Sequence, residues 1–180
     1  MPILLLVIVA VAGFSSCGGD SGDPNKTKTY SAHGITFDFP ANWKRQKLES
    51  KTEKAANAQW DLEGLVLTED DVISVQAYKL TLAITPAVFN ENQQDIVDEV
   101  TRTTAGHDTL SDPEVTNVAG LPAITYRVAA TSTRGRDVTS QLFFIFKDEM
   151  EYFINCQATE KRQDDVDAAC QKVVDSLAIQ

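Results

Sequence analysis

Histidine is scarce in this chain: two residues, His33 and His107, among 180. With so few imidazoles, and none at zinc-ligand spacing, no metal site is expected. No G-x-S-x-G elbow, G-x-G-x-x-G turn or P-loop occurs anywhere. The usual one-motif signatures of esterases, dinucleotide enzymes and nucleotide hydrolases are therefore missing. Charge is lacking in two further ways. The first sixteen residues carry none, and in the remainder 16 Lys and Arg face 26 Asp and Glu, a formal charge of −10. Such a surface repels nucleic-acid phosphates and anionic lipid headgroups, so nucleic acid is not an expected partner. A basic protein partner remains compatible with it. A long hydrophobic run is also missing. Residues 3–13 are apolar or small, whereas a spanning helix needs about 20 such residues.

That short run fits the apolar segment of a secretory signal, about 7–15 residues long. It has no basic residue ahead of it, which leaves the true start codon open. It ends at Phe14-Ser15-Ser16-Cys17. These four residues resemble the lipobox of bacterial lipoproteins, in which the signal is cut before a cysteine that then carries acyl chains such as palmitate. The match departs from the usual pattern at Phe14, where Leu is preferred. The alternatives are an uncleaved short anchor and a free thiol beside an ordinary cleavage site. Residues 18–24, Gly-Gly-Asp-Ser-Gly-Asp-Pro, suit a flexible tether. Each buried acyl CH₂ contributes about 0.8 kcal/mol, so several chains hold a protein firmly at a membrane. The expected organisation is a signal peptide at 1–16, lipidated Cys17 and tether at 17–28, and one domain at 29–180. The expected location is the outer face of a bacterial cell membrane.

Cys156 and Cys170 are the two remaining cysteines of three. Residues 152–156 read as a strand with Tyr152, Ile154 and Cys156 on one face. Residues 165–177 read as a helix with Val166, Ala169, Cys170, Val173 and Leu177 on its apolar stripe. Both thiols then face the core, and in an exported protein they are expected to pair as a disulfide. Their spacing is far from C-x-x-C, so neither a redox nor a zinc site is implied.

The rest of the chain alternates short strands with turn signals. Residues 29–31 and 35–39 form a hairpin through His33-Gly34, with Ile35, Phe37 and Phe39 on the buried face. Residues 44–58 are polar and basic and read as an exposed loop. Residues 59–67 and 72–82 are strands around a Glu69-Asp70-Asp71 turn. Thr85 caps a helix with Pro86 in its first position, and the helix runs towards Thr104. Residues 115–118, 123–132, 139–147 and the strand at Tyr152 form a meander with turns at Gly120, Gly135 and Asp148-Glu149. Neighbouring strands with helices between groups imply an α+β fold with an antiparallel sheet.

The stretch Tyr30…Gly34-Ile35-Thr36-Phe37-Asp38-Phe39-Pro40-Ala41-Asn42-Trp43 resembles the opening of the Mog1/PsbP-like families. Val118-Ala119-Gly120-Leu121-Pro122-Ala123 and the closing Val174-Asp175-Ser176-Leu177 fit as well. The resemblance is strongest to actinobacterial LpqN-type lipoproteins, which share the anchor, the late cysteine pair and the size. It implies an antiparallel sheet of about six strands flanked by helices. It also implies non-catalytic binding and accessory roles, since one branch docks on photosystem II, one binds a small GTPase and one is linked to envelope proteins. Fold does not fix function, and no partner-binding residue follows from the resemblance.

No catalytic residue and no cofactor are therefore expected. His33 reads as a turn residue, and His107 with Asp108, Asp112 and Glu114 as a solvated loop. Trp43 reads as a plug at the edge of the core. Trp60 is either core or an anchor for a partner. Glu69-Asp70-Asp71 and Asp164-Asp165 read as a turn and a helix start, with docking to a basic protein as the alternative. Two functions lead: a membrane-tethered module binding envelope or membrane proteins, and a carrier of a lipid or other small molecule between sheet and helices. A connected apolar cavity favours the carrier and a filled core the module. A hydrolase ranks third and requires a histidine bonded to a nucleophile and an acid.

Overall fold

The computed structural model describes residues 22–50, 57–132 and 134–180, plus the backbone of Val9–Ala10, which pairs with Glu49–Ser50. Cys17 and most of the expected leader and tether lie outside the described residues. Strand β1 (Thr27–Ala32) begins two residues earlier than the expected domain start. It joins β2 (Ile35–Pro40) through His33 and Gly34, both at positive φ, 56° and 75°. Such a pair forms the two-residue turn whose twist matches that of the flanking strands. Ile35, Phe37 and Phe39 are buried, in strict alternation with half-buried neighbours.

Residues 44–58 are not all loop. Lys44–Lys47 forms an edge strand, β3, against β4 (Glu63–Val66). Its Lys-Arg-Gln-Lys sequence lacks apolar alternation because charged side chains are well suited to a sheet edge. Arg45 fixes it there, with its guanidinium 3.2 Å from Glu63 Oε2 and 4.5 Å above the Tyr30 ring. Strand β5 (Val72–Ile84) leads to helix α1 (Pro86–Glu91). The Thr85 hydroxyl caps α1 by accepting from the Val88 N–H at 3.3 Å. The expected single helix is broken. Asn92 leaves helical geometry at φ −122°, and α2 (Gln93–Arg102) begins after it.

Strands β6 (Glu114–Val118) and β7 (Leu121–Thr131) form a hairpin around Ala119 and Gly120, again both at positive φ. Strand β8 (Asp137–Ala158) is a continuous 22-residue ribbon. The expected Asp148-Glu149 turn is instead an irregularity inside β8, with Asp148 at φ 51°. Helix α3 (Gln163–Ser176) follows, and a two-residue strand, β9 (Ala178–Ile179), closes the described chain.

The main sheet has six strands in the order β3-β4-β5-β8-β7-β6, with every neighbouring pair antiparallel. The smaller sheet is β9-β2-β1. The main sheet carries a core on each face. On one, α3 and β1–β2 pack on Ile73, Val75, Phe143, Ile145 and Ile154. On the other, Phe89 of α1 and Val100 of α2 pack on Tyr78, Tyr126, Phe144 and Phe153. The Cys156–Cys170 disulfide ties β8 to α3 within the first core, with S–S 2.03 Å and Cα–Cα 6.0 Å.

Candidate functional site

The irregularity in β8 has a local consequence. Up to it, the even residues Leu142, Phe144 and Phe146 face the α1–α2 core; beyond it, the odd Phe153 does. Glu151, two residues before Phe153, takes the same face. It stands opposite Tyr78 on β5, and its side chain is enclosed, leaving the residue 2% exposed. The β5–β8 ladder jumps from Met150–Lys79 to Asp148–Ile84. Leu80, Thr81, Leu82 and Ala83 therefore have no partner on β8 and arch away from it.

Beneath that arch lies a cavity of about 440 Å³, inside the range of about 300–1,000 Å³ typical of small-ligand sites. Its apolar walls are Leu80, Leu82 and Ile84 of β5, Val88 of α1, and Ile96 and Val100 of α2, with the polar Asn57, Thr81 and Asn92 also on the lining. Phe146 and Glu151 form the floor, and Lys79, Asp95, Asp98, Glu99 and Arg102 ring the mouth. Leu82, 60% exposed, stands at the mouth.

Glu151 is the polar feature of the floor. Its Oε1 has no hydrogen-bond partner. Burial pushes the carboxyl up to about 8, because a carboxylate loses its hydration in an apolar site. The nearby phenols do not rescue it. Tyr78 donates to Gln76 Oε1 at 2.7 Å, and the Tyr126 hydroxyl lies 3.1 Å from Thr104 Oγ1 and 3.3 Å from the Val100 carbonyl. Both phenols are raised as well, chiefly by burial. Sequence reading missed Glu151 because it falls in Lys147-Asp148-Glu149-Met150-Glu151, a charged run indistinguishable from a solvated turn.

The residues singled out from sequence lie elsewhere. His33 stacks on Trp60 with centroids 4.9 Å apart, and its Nε2 is 3.8 Å from Glu63 Oε1. Trp43 is buried in the first core, while Trp60 packs half-buried against it. His107, Asp108 and Asp112 lie on a half-exposed to exposed loop and Glu114, exposed, opens β6; no cluster of three or more potential metal ligands occurs among the described residues. Glu69-Asp70-Asp71 lies in the turn expected between β4 and β5, and Asp70 and Asp71 are buried in it. Asp71 Oδ1 accepts from the Thr159 N–H at 2.7 Å and its hydroxyl at 2.8 Å, and Asp71 Oδ2 from Thr68. Asp70 pairs with Arg136 at 3.2 Å and Glu69 with Arg134. These acids fasten the β4–β5 turn to neighbouring loops.

No curated protein matches the chain by sequence. The fold has solved neighbours at low identity. The solution structure of cyanobacterial PsbP (CyanoP) from Synechocystis superposes with a TM-score of 0.58 at 15% identity, covering 92% of this chain and 98% of its own. A crystal structure from Bacteroides thetaiotaomicron gives 0.52 at 10% identity, covering 89% of this chain and 49% of the other. LpqN of Mycobacterium tuberculosis, described as involved in cell envelope biogenesis, gives 0.52 at 14%, covering 86% and 91%. At these identities the likeness concerns fold. The sequence itself matches the family described as PsbP-like protein over residues 15–179. That match takes in the main and smaller sheets, helices α1 to α3 and the pocket beneath α1 and α2, and on it the chain belongs to the PsbP-like protein family.

Proposed function

We propose that this chain is a non-catalytic accessory protein of the bacterial cell envelope, held at the outer face of the membrane by lipid on Cys17. Its recognition site is the pocket beneath α1 and α2, and its ligand is an amphiphilic small molecule. The observation that carries this reading is the cavity of about 440 Å³ with apolar walls and one buried, unpartnered carboxyl oxygen. A preformed, largely apolar cavity with a few placed polar groups is the usual build of a small-ligand site. It favours the carrier over the protein-docking module, which a filled core would have favoured. Envelope or membrane proteins are the proposed donors or acceptors of the ligand. The disulfide supports an oxidising compartment, and the LpqN neighbour is described as involved in cell envelope biogenesis.

Native mass spectrometry of the anchored protein extracted from bacterial membranes tests this reading. The wild type is expected to carry a small molecule that Val88→Trp, which fills the pocket, does not. Cys17→Ser is expected to leave the membrane fraction. An empty wild type indistinguishable from Val88→Trp overturns the carrier, and Cys17→Ser retained at wild-type level overturns the anchor.

A further inference from the structure

The pocket floor and rim restrict the chemistry of what enters. A fatty acid would carry its carboxylate past Asp95, Asp98 and Glu99 at the mouth, where like charges repel, and on the floor could share only the single proton that Glu151 holds. A neutral chain would leave Oε1 unmatched or share one weak bond. The basic rim residues already face acids: Lys79 Nζ lies 3.5 Å from Glu149 Oε2, and Arg102 pairs with Glu99 one turn back. Asp95 and Asp98 add negative charge at the mouth, on a chain of net charge −10. The field at the entrance therefore attracts cations.

We infer, granted that the pocket is the binding site, that its ligand is a cationic amphiphile: an aliphatic body against Leu80, Ile84, Val88 and Ile96, with an ammonium group on the Glu151 carboxylate. A buried ion pair persists where both partners keep hydrogen bonds and the surroundings exclude water. An ammonium offers three donors to a carboxylate that has an unmatched oxygen. Seating it requires Glu151 to release its proton. From β5 and β7 the titratable groups facing Glu151 are Tyr78 and Tyr126, both kept neutral by burial. From the rim they are Lys79, Asp95, Asp98, Glu99 and Arg102. Glu151 is thus the group whose proton is exchanged for the ligand's charge.

The test is calorimetric titration of the Cys17→Ser protein with dodecylamine and dodecanoate below their micellar concentrations and dodecanol below its solubility limit. The amine stays protonated below about pH 10, as a lysine does. Dodecylammonium is expected to bind at least about tenfold more tightly than the other two. Its affinity should rise about tenfold per pH unit up to the Glu151 value of about 8 and then level off. In Glu151→Gln the amine should lose about tenfold or more and its pH rise, while dodecanol binding persists. Dodecanol or dodecanoate binding the wild type as tightly as the amine, or an amine affinity flat with pH, overturns the cationic ligand and leaves the pocket as a site. Amine binding unchanged in Val88→Trp places it on the acidic surface and overturns the inference too. If none of the three binds, the pocket reading falls as well. Should Glu151→Gln fail to fold, the ligand series and pH profile of the wild type decide.

Discussion

Replacing Glu151 with Gln should stabilise the protein, by an amount that grows with pH. The side chain is enclosed, and burial lifts its carboxyl from an ordinary 4.5 to about 8. In the unfolded chain it returns to the ordinary value. Between those two values the folded protein holds a proton that the unfolded chain has released. The folded state then binds more protons, so its stability falls as pH rises through this window and is constant above it. Each pH unit costs about 1.4 kcal/mol, so the loss is about 3 kcal/mol by pH 7 and about 5 kcal/mol above pH 8. Gln is nearly isosteric and cannot ionise. Whatever its amide loses or gains in hydrogen bonding is independent of pH, so the pH dependence of the difference isolates the carboxyl. The assay is urea unfolding of both proteins, ligand-free, followed by far-ultraviolet circular dichroism on both sides of neutrality. Glu151→Gln should gain little near about pH 5 and several kcal/mol near about pH 8.5. A difference that stays constant across that range refutes the reasoning: the carboxyl would then be hydrated in the folded protein.

Two further perturbations bear on the scaffold. Changing Cys156 and Cys170 together to Ser opens a loop with a sequence separation of 14, and should cost about 3 kcal/mol in urea unfolding; reductant should lower the wild type equally. Asp71→Asn weakens three accepted hydrogen bonds, two of them from Thr159, and should cost about 2 kcal/mol. A loss below about 0.5 kcal/mol would mean that the turn holds without its buried carboxylate.

Legibility in the sequence followed local chemistry. The His33-Gly34 turn, the Thr85-Pro86 helix start and the matching faces of Cys156 and Cys170 all rest on neighbours within a few residues, and each stands in the structure where its residues place it. The long strand did not read through. Asp148 and Glu149 carry the chemistry of a turn, but pairing with β5 and β7 on either side outweighs it, and the charged run becomes a bend within one ribbon. For the same reason Glu151 was hidden. Periodicity on either side of the run gives no phase, because Leu142 to Phe146 are apolar on both faces. Edge strand β3 escaped notice because a strand that shows charged side chains to water has no apolar alternation to detect. The small sheet is closed by β9, a two-residue pairing too short to leave a pattern.

The disulfide on β8 does more than close a loop. Cys156 points to α3 while Glu151, five residues earlier, points to the opposite face. A chain whose β8 slipped by one residue would present Asn155 or Gln157 to Cys170 and turn the pocket floor inside out. Oxidation is possible only in the correct phase. The covalent bond therefore serves as a checkpoint: in an oxidising compartment it certifies chains whose pocket has been assembled the right way round, and chains in the wrong phase keep two free thiols that mark them as unfinished.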